Sequence, residues 1–248
     1  MSTMAYKWNY LLGVGFGLAN MATDLVYIWF LFYLAGGQVV AGVNYMTMFF
    51  AFGMMGVVRS IMNAGVSDNS YFVQSGIHTG ELDEFLIKPV NFKFITSVRF
   101  FWLEQLLYGL ASLIFVIVIS WLNNWFGWSL QEAVWLLFIM VSSVVIYFLV
   151  IWIISLLAFY WDKFRQIKLI FWTSGEASYY PRKLYPPILQ WIGVYLFPVF
   201  MIVNPIFDVF DGSYDWVKVI NTILYIGVLF IIYQMVWKFG LRKYNSAN

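Results

Sequence analysis

The sequence predicts an all-α membrane protein with about six transmembrane helices in one domain spanning residues 1–248. Of its residues 62% are hydrophobic and only 10% are charged, and the mean hydropathy is +0.79. A soluble domain carries roughly 25% charged residues. The long apolar runs are also continuous, without the alternation of a lipid-facing strand, which favours helices over a barrel.

The first apolar run, residues 11–34, is expected to be a retained transmembrane helix. It is too long for the core of a signal peptide and lacks a small-residue cleavage site. By length and hydropathy, the remaining helices are expected at residues 42–65, 99–122, 133–159 and 217–238, with one further crossing within 164–209.

That further crossing has two interpretations. Hydropathy alone favours one continuous span over residues 187–209. In the other interpretation, residues 164–180 form a short crossing, and residues 187–210 form a re-entrant hairpin between the fifth and sixth helices. Pro198 and Pro205 would break this hairpin, since proline cannot continue a regular helix. Both interpretations give six crossings.

The distribution of basic residues predicts the orientation. Lys88 and Lys93 lie in the 66–98 loop, and further lysines and arginines follow the fourth and last spans, whereas the 36–41 and 123–132 loops contain none. The 206–216 loop is acidic. By the positive-inside rule, both termini and the 66–98 loop are expected to be cytoplasmic. The net charge of +2 is too small to indicate a nucleic-acid partner.

Residues 75–89, "SGIHTGELDEFLIKP", form the longest strongly polar stretch. The four residues at 67–70, Ser67, Asp68, Asn69 and Ser70, are suitable N-cap residues for a short helix, and Pro89 ends the helical pattern. Within "GELDEFLIK", the apolar positions recur at i, i+3 and i+4 and the charged ones lie opposite. The apolar face is Leu82, Phe85 and Leu86, and the charged face is Glu81, Glu84 and Lys88. The segment 67–93 is therefore either a solvated loop or an amphipathic docking element on the cytoplasmic side.

Three blocks of the sequence resemble a known family. They are "GELDEFLIKP" at 80–89, "YYPRKLYPPILQWIGVYLFPVFMIVNPI" at 179–206, and "KFGLRKYNSAN" at 238–248. In this order and spacing the chain resembles a type-2 ABC transporter permease of the subfamily with G-x-L-x-x-x-L-x-[KR]-P and a terminal G-[LI]-x-[KR]-Y. Arg165, Lys168 and Glu176 make the fifth crossing more polar than is usual in that family.

The resemblance implies a membrane-spanning subunit of an ABC exporter in the inner (plasma) membrane of a prokaryotic cell. It also implies a second permease subunit, identical or different, and cytosolic ABC ATPase subunits that bind the ATP and magnesium. The loop between the second and third helices would carry the coupling helix that seats on the ATPase. The residues so implied are Gly80, Glu81, Leu82, Glu84, Phe85, Leu86, Lys88 and Pro89.

Catalytic and metal-binding patterns are missing from the sequence. There is no cysteine and a single histidine, His78, and neither a phosphate-binding loop nor a zinc or serine-hydrolase motif occurs. We therefore expect no catalytic residue, metal or cofactor in this chain. A membrane-embedded enzyme remains the weaker alternative.

Three ionisable residues are expected inside the membrane. Arg59 and Glu104 each lie five or six residues from the cytoplasmic end of a helix, about 8 to 9 Å deep, and are expected to form an ion pair. Asp24 lies near the middle of the first span, with no basic residue expected at its depth. It either makes a polar contact within the bundle or lines a transport path. In the alternative of a proton-coupled secondary transporter, Asp24 would carry the proton.

Overall fold

The computed structural model describes residues 2–34, 39–40, 42–125, 129–161, 171 and 175–244. Within these residues, five helices are long and apolar enough to cross a membrane. This confirms an all-α membrane protein, with the five spans within a few residues of the expected bounds except at the two ends of the chain. The helices are α1 (Ser2–Leu34), α2 (Tyr45–Gly65), α6 (Leu103–Leu122), α7 (Leu130–Leu156) and α10 (Trp216–Lys243).

Shorter elements connect these helices. A two-stranded hairpin of β1 (Val39–Val40) and β2 (Val43–Asn44) precedes α2. Three short helices fill the connection between α2 and α6: α3 (Ser67–Thr79), α4 (Asp83–Leu86) and α5 (Phe92–Ser97). Two more precede α10: α8 (Pro187–Trp191) and α9 (Pro205–Phe210). The 3-10 turns are Leu157–Phe159, Gly175–Tyr179, Arg182–Leu184 and Val199–Met201.

Side-chain caps fix the starts of three long helices. Ser129 and Glu132 form a capping box at α7, in which Glu132 Oε2 accepts from Ser129 N at 2.8 Å. Asp215 Oδ1 accepts from Lys218 N at 3.0 Å at the start of α10, and Asn44 caps α2. These caps satisfy backbone N–H groups that have no partner within the helix.

Small residues allow α2 and α6 to pack closely. Gly109 of α6 lies directly against Ser60 of α2, and Gly56 of α2 lies against Ser112 of α6. Close packing through small residues is the common mode of helix association in membranes. On the other side of the bundle, α7 packs along α10, where the fully buried rings of Trp152 and Trp237 lie 6.1 Å apart.

The bundle has two distinct ends. At the first, which we term the coupling end, α3 to α5 meet the C-terminal ends of α7 and α10. Phe92 of α5 packs on Trp237 at 5.6 Å, and Phe159, which follows α7, packs on the same ring at 6.2 Å. At the opposite end, which we term the far end, Trp125 packs edge-on against Phe210 at 4.7 Å. Helix α2 therefore runs from the far end to the coupling end, and α6 runs back.

Residues 187–210 form a hairpin rather than a continuous span. Helix α8 passes into a π-helical turn at Ile192–Leu196, and the regular backbone is broken at Pro198 (φ −70°, ψ 45°). The chain then returns to where it started, since Arg182 Nη2 lies 3.3 Å from Asp208 Oδ2. The interpretation of 187–209 as one transmembrane helix is therefore wrong, because the two prolines and the packing of the arms turn the chain back.

The two arms of the hairpin meet at Gly193, which lies directly against the ring of Phe200. A larger side chain at this position would displace that ring. Tyr185 also packs on Phe200, at 4.9 Å between ring centroids. The expected polar residues Arg165 and Lys168, and the side chain of Glu176, lie outside the described part of the chain.

Candidate coupling site

Two glycines shape the turn that follows α3. Gly80 adopts φ 78° and ψ 0°, a left-handed conformation that favours glycine, and its N–H donates to Gly76 O at 3.1 Å. The side chain of Leu82 then folds back over Gly76, where a Cβ atom would meet Leu82 Cδ2 at 2.9 Å. A helix does begin at Ser67, as the sequence predicts, and this turn ends it. The expected capping by residues 67–70 is wrong, because Val66 is the N-cap and no side chain caps this helix.

The inner face of α4 consists of Leu82 and Phe85, which are 0% and 6% exposed. Leu86, expected on the same face, is 42% exposed, so this part of the amphipathic prediction is wrong. The reason is that α4 has only four residues, and the chain leaves the helix before a second turn can bury Leu86. Ile87, which the periodicity did not single out, is 84% exposed.

An aromatic cluster holds α4 in place. The ring of Phe85 packs edge-on against Phe72 of α3 at 5.5 Å, and Phe72 packs against Phe100 at 5.9 Å. The guanidinium of Arg99 lies 4.1 Å from the centroid of Phe72 and 4.8 Å from that of Phe85. The ammonium of Lys88 lies 4.2 Å from the Phe85 ring on the outside. These cation–π contacts each add about 0.5 to 2 kcal/mol, depending on exposure.

Polar side chains connect α3 to the start of α6. The fully buried Asn69 donates through Nδ2 to Phe100 O at 2.8 Å and accepts from Phe100 N at 2.9 Å. Trp102 Nε1 donates to Asp68 Oδ2 at 2.5 Å. A buried amide with both its donor and its acceptor in use fixes the relative position of two segments.

The segment is also attached to α10. Asn91 caps α5, and Lys93 Nζ donates to Gln234 Oε1 at 2.6 Å. Burial raises the pKa of Tyr244, at the end of α10, to about 12, and the nearby carboxylate of Asp83 contributes to the shift. Two of the three sequence blocks quoted above, 80–89 and 238–248, therefore meet in space. Sequence periodicity could not show this long-range contact.

The side of α4 that faces away from the bundle is a mixed charged and apolar surface. We term it the outer ridge, and it consists of Glu81, Glu84, Leu86, Ile87 and Lys88, all exposed. Pro89 follows it and is also exposed. An anchored inner face with an exposed ridge is suited to binding another protein, because the ridge is already ordered before the partner arrives. Its arrangement offers no paired acid and base for chemistry.

The expected ion pair between Arg59 and Glu104 is not formed among the described residues. Since Ser60 lies against Gly109, Arg59 sits at the level of Gly109, about 7.5 Å along α6 from Glu104. Glu104 instead lines a polar groove of about 280 Å³ at the coupling end, together with Asp68. The pair prediction is wrong because it assumed that both helices enter the membrane at the same level.

Arg59 faces the interior of the bundle. Its guanidinium carbon lies 4.9 Å from the ring centroid of Tyr179, and Nε and Nη2 are buried without a hydrogen-bond partner among the described residues. Asp24 lies on the exposed side of α1, in electrostatic range of Tyr108. Gly17, almost two turns earlier on α1, packs on the same tyrosine ring. Tyr108 is thus one residue through which α6 contacts α1.

Comparison with known proteins identifies the family. A scan against models of known protein families matches the family described as "ABC-2 family transporter protein" over residues 18–248. Searches of curated proteins and of solved structures found no match to this chain. The matched range contains the second half of α1, the other four long helices, the coupling end and the hairpin. Because the match covers most of its length, the chain belongs to the ABC-2 transporter family and is a membrane permease of the type-2 ABC transporters, which work with ATPase subunits.

Proposed function

We propose that residues 67–97 form the docking site for the ATPase and that α4 is the coupling helix. The observation that carries this proposal is the outer ridge, which is exposed on one side while Phe85 and Leu82 are buried on the other. A loop that only separates α2 and α6 would not need a buried asparagine, an aromatic cluster and a bond to α10. Because these contacts join the segment to α3, α6 and α10, a force applied to the outer ridge would act on all three helices.

The proposed orientation places the coupling end in the cytosol. It rests on the distribution of lysine and arginine, which are concentrated at that end, and on the acidic residues of the far end. Trp161 lies at the coupling end and Arg182 at the far end, so we propose a sixth crossing between them, although residues 162–170 and 172–174 lie outside the described part of the chain. Phe171, which packs on the mid-α7 residue Tyr147 at 5.5 Å, supports this path. With six crossings, both termini are cytoplasmic.

The working unit is proposed to contain two permease subunits and two ATPase subunits in the inner membrane of a prokaryotic cell. The ATPases bind ATP and magnesium, and their closure moves the two coupling helices, so that the path between the permease subunits opens outward. Export follows from the family resemblance. The aromatic side chains exposed on α1, among them Phe16, Trp29 and Tyr33, offer a surface for the second subunit or for lipid.

Charge reversal on the outer ridge tests the docking site. We expect the double variant Glu81→Lys, Glu84→Lys to lose co-purification with the cognate ATPase when both are expressed together, since both side chains are exposed and lie on the ridge. Insertion and melting temperature should stay as in the wild type. Unchanged complex yield, with unchanged ATP turnover, would show that the ATPase binds elsewhere.

Asp211→Lys provides the control. This residue is exposed at the far end, where its carboxylate bonds Lys183 Nζ at 2.6 Å. Loss of an exposed ion pair costs about 1 kcal/mol or less. The control should therefore retain the ATPase. If it also loses the complex, charge reversal acts through the whole protein rather than through the ridge.

A further inference from the structure

A cavity of about 440 Å³ lies at the far end between the hairpin and the first half of α10. Its lining includes Arg182, Asp208 and Lys218 at one extremity, and Val194, Leu224 and Val228 at the other. Lys218 and Val228 are ten residues apart on α10, which corresponds to about 15 Å. This length matches half of the roughly 30 Å hydrocarbon core of a bilayer.

The charged extremity has an excess of positive charge. Asp208 is mostly buried and lies 3.3 Å from Arg182 Nη2 and 3.2 Å from Lys218 Nζ, so two cations share one carboxylate. Two positive charges and one negative charge leave a net charge of +1 in the lining. The other carboxylates nearby are engaged elsewhere, Asp211 with Lys183 and Asp215 as the cap of α10.

Arg182 is positioned for a ligand. Its backbone N–H donates to Asn204 Oδ1 at 3.0 Å, and Asn204 Nδ2 donates to Tyr180 O at 2.6 Å, so the residue is fixed at the mouth of the hairpin. Among the described residues, its side chain donates a hydrogen bond only through Nη2, and that side chain is 38% exposed. The rest of the guanidinium is available to an oxyanion, which it can bind with two parallel hydrogen bonds.

The apolar extremity is lined by exposed apolar side chains: Tyr195 is 61%, Leu224 63% and Val228 54% exposed. Trp191 and Leu196 of the same hairpin are also exposed, at 60% and 64%. A contiguous apolar surface of this kind on a membrane protein faces hydrocarbon or a ligand. The Tyr225 hydroxyl, near the middle, donates to Tyr195 O at 3.4 Å and holds the hairpin to α10.

We propose that this cavity binds an anionic phospholipid from the leaflet at the far end. The phosphate would bind Arg182, with Lys218 adding positive charge, and an acyl chain would lie along Leu224 and Val228. The gradient from cationic to apolar lining over one leaflet thickness fits a molecule that is charged at one end and apolar at the other. This site goes beyond the proposed function, since it lies at the far end and takes no part in binding the ATPase.

Lipid binding to the full chain in nanodiscs tests the proposal. We expect native mass spectrometry to show phosphatidylglycerol retained in preference to phosphatidylcholine. Arg182→Gln should lower the apparent affinity for phosphatidylglycerol roughly tenfold or more, because a charge-assisted hydrogen bond is lost. The variant should fold, since Asp208 keeps Lys218 as its partner. Lys183→Gln is the matched control, because Lys183 is the neighbouring cation but does not line the cavity.

A second variant tests the acyl-chain end without changing charge. Val228→Trp fills the apolar extremity and should also weaken phosphatidylglycerol binding, while leaving the melting temperature in detergent near that of the wild type, because Val228 is more than half exposed. Equal losses for Arg182→Gln and Lys183→Gln would overturn the proposal in favour of nonspecific surface charge. Equal retention of phosphatidylglycerol and phosphatidylcholine would also overturn the proposal. Stabilisation by inorganic phosphate alone as large as that by phosphatidylglycerol would overturn it too.

Discussion

Removal of the Phe85 ring is expected to release α4, the proposed coupling helix, from the bundle. The ring is 6% exposed, packs on Phe72 at 5.5 Å and lies 4.8 Å from the Arg99 guanidinium. Replacing a buried phenylalanine with alanine costs about 3 to 5 kcal/mol in a protein core. Because α4 is at the edge of the bundle, we take the lower value, about 3 kcal/mol, which corresponds to a roughly hundredfold change in an equilibrium constant.

Hydrogen exchange of the purified permease measures this effect directly. In Phe85→Ala, amides of residues 82–88 should exchange up to about a hundredfold faster, while those in the middle of α7 stay protected. Leu86→Ala is the control. Since Leu86 is 42% exposed, its loss should cost under about 1 kcal/mol and leave exchange almost unchanged. Unchanged protection in Phe85→Ala, or equal deprotection in both variants, would refute the anchoring role of the aromatic cluster.

Three further predictions concern single backbone and side-chain features. Gly80→Ala should lower the melting temperature, since a left-handed conformation costs a non-glycine residue about 1 to 2 kcal/mol, and Gly80→Asn should lower it less. Arg59→Gln should destabilise the protein by up to about 2 kcal/mol through loss of the Tyr179 contact, and its combination with Glu104→Gln should be additive within about 0.5 kcal/mol. An interaction energy above about 0.5 kcal/mol in the double-mutant cycle would show that Arg59 and Glu104 do form an ion pair. Asp24→Asn should leave transport into inside-out vesicles dependent on ATP, and a requirement for a pH gradient instead of ATP would favour a proton-coupled carrier.

Features that depend on the local chain could be predicted from the sequence. Five transmembrane helices follow from apolar runs. The polar residues at 67–70 mark the start of α3, although they lie in its first turn and do not cap it. The break at Pro198 follows because proline lacks the N–H that a helix requires and restricts the residue before it. These signals act within one or two turns of the chain, so neighbouring residues are sufficient to define them.

Features that depend on how helices meet could not be predicted in the same way. The level of Arg59 relative to Glu104 is set by the packing of Ser60 on Gly109, and hydropathy has no information about such a contact. The exposure of Leu86 depends on the end of α4 after a single turn, which the i, i+3, i+4 pattern does not reveal. The attachment of Lys93 to Gln234 joins distant parts of the chain, and one sequence alone gives no signal for it.

Helix α10 connects the two ends to which functions are assigned. At the coupling end its Gln234 accepts the hydrogen bond of Lys93, and at the far end its Lys218 contacts Asp208 of the hairpin. The two positions are sixteen residues apart, about 24 Å along one helix. Since a regular helix does not shorten, we expect a movement of α5 that is passed to α10 through Lys93 and Gln234 to displace Lys218 as well. On the proposed function, ATPase closure would therefore act on the hairpin through α10 and so on the cavity that we propose for the phospholipid.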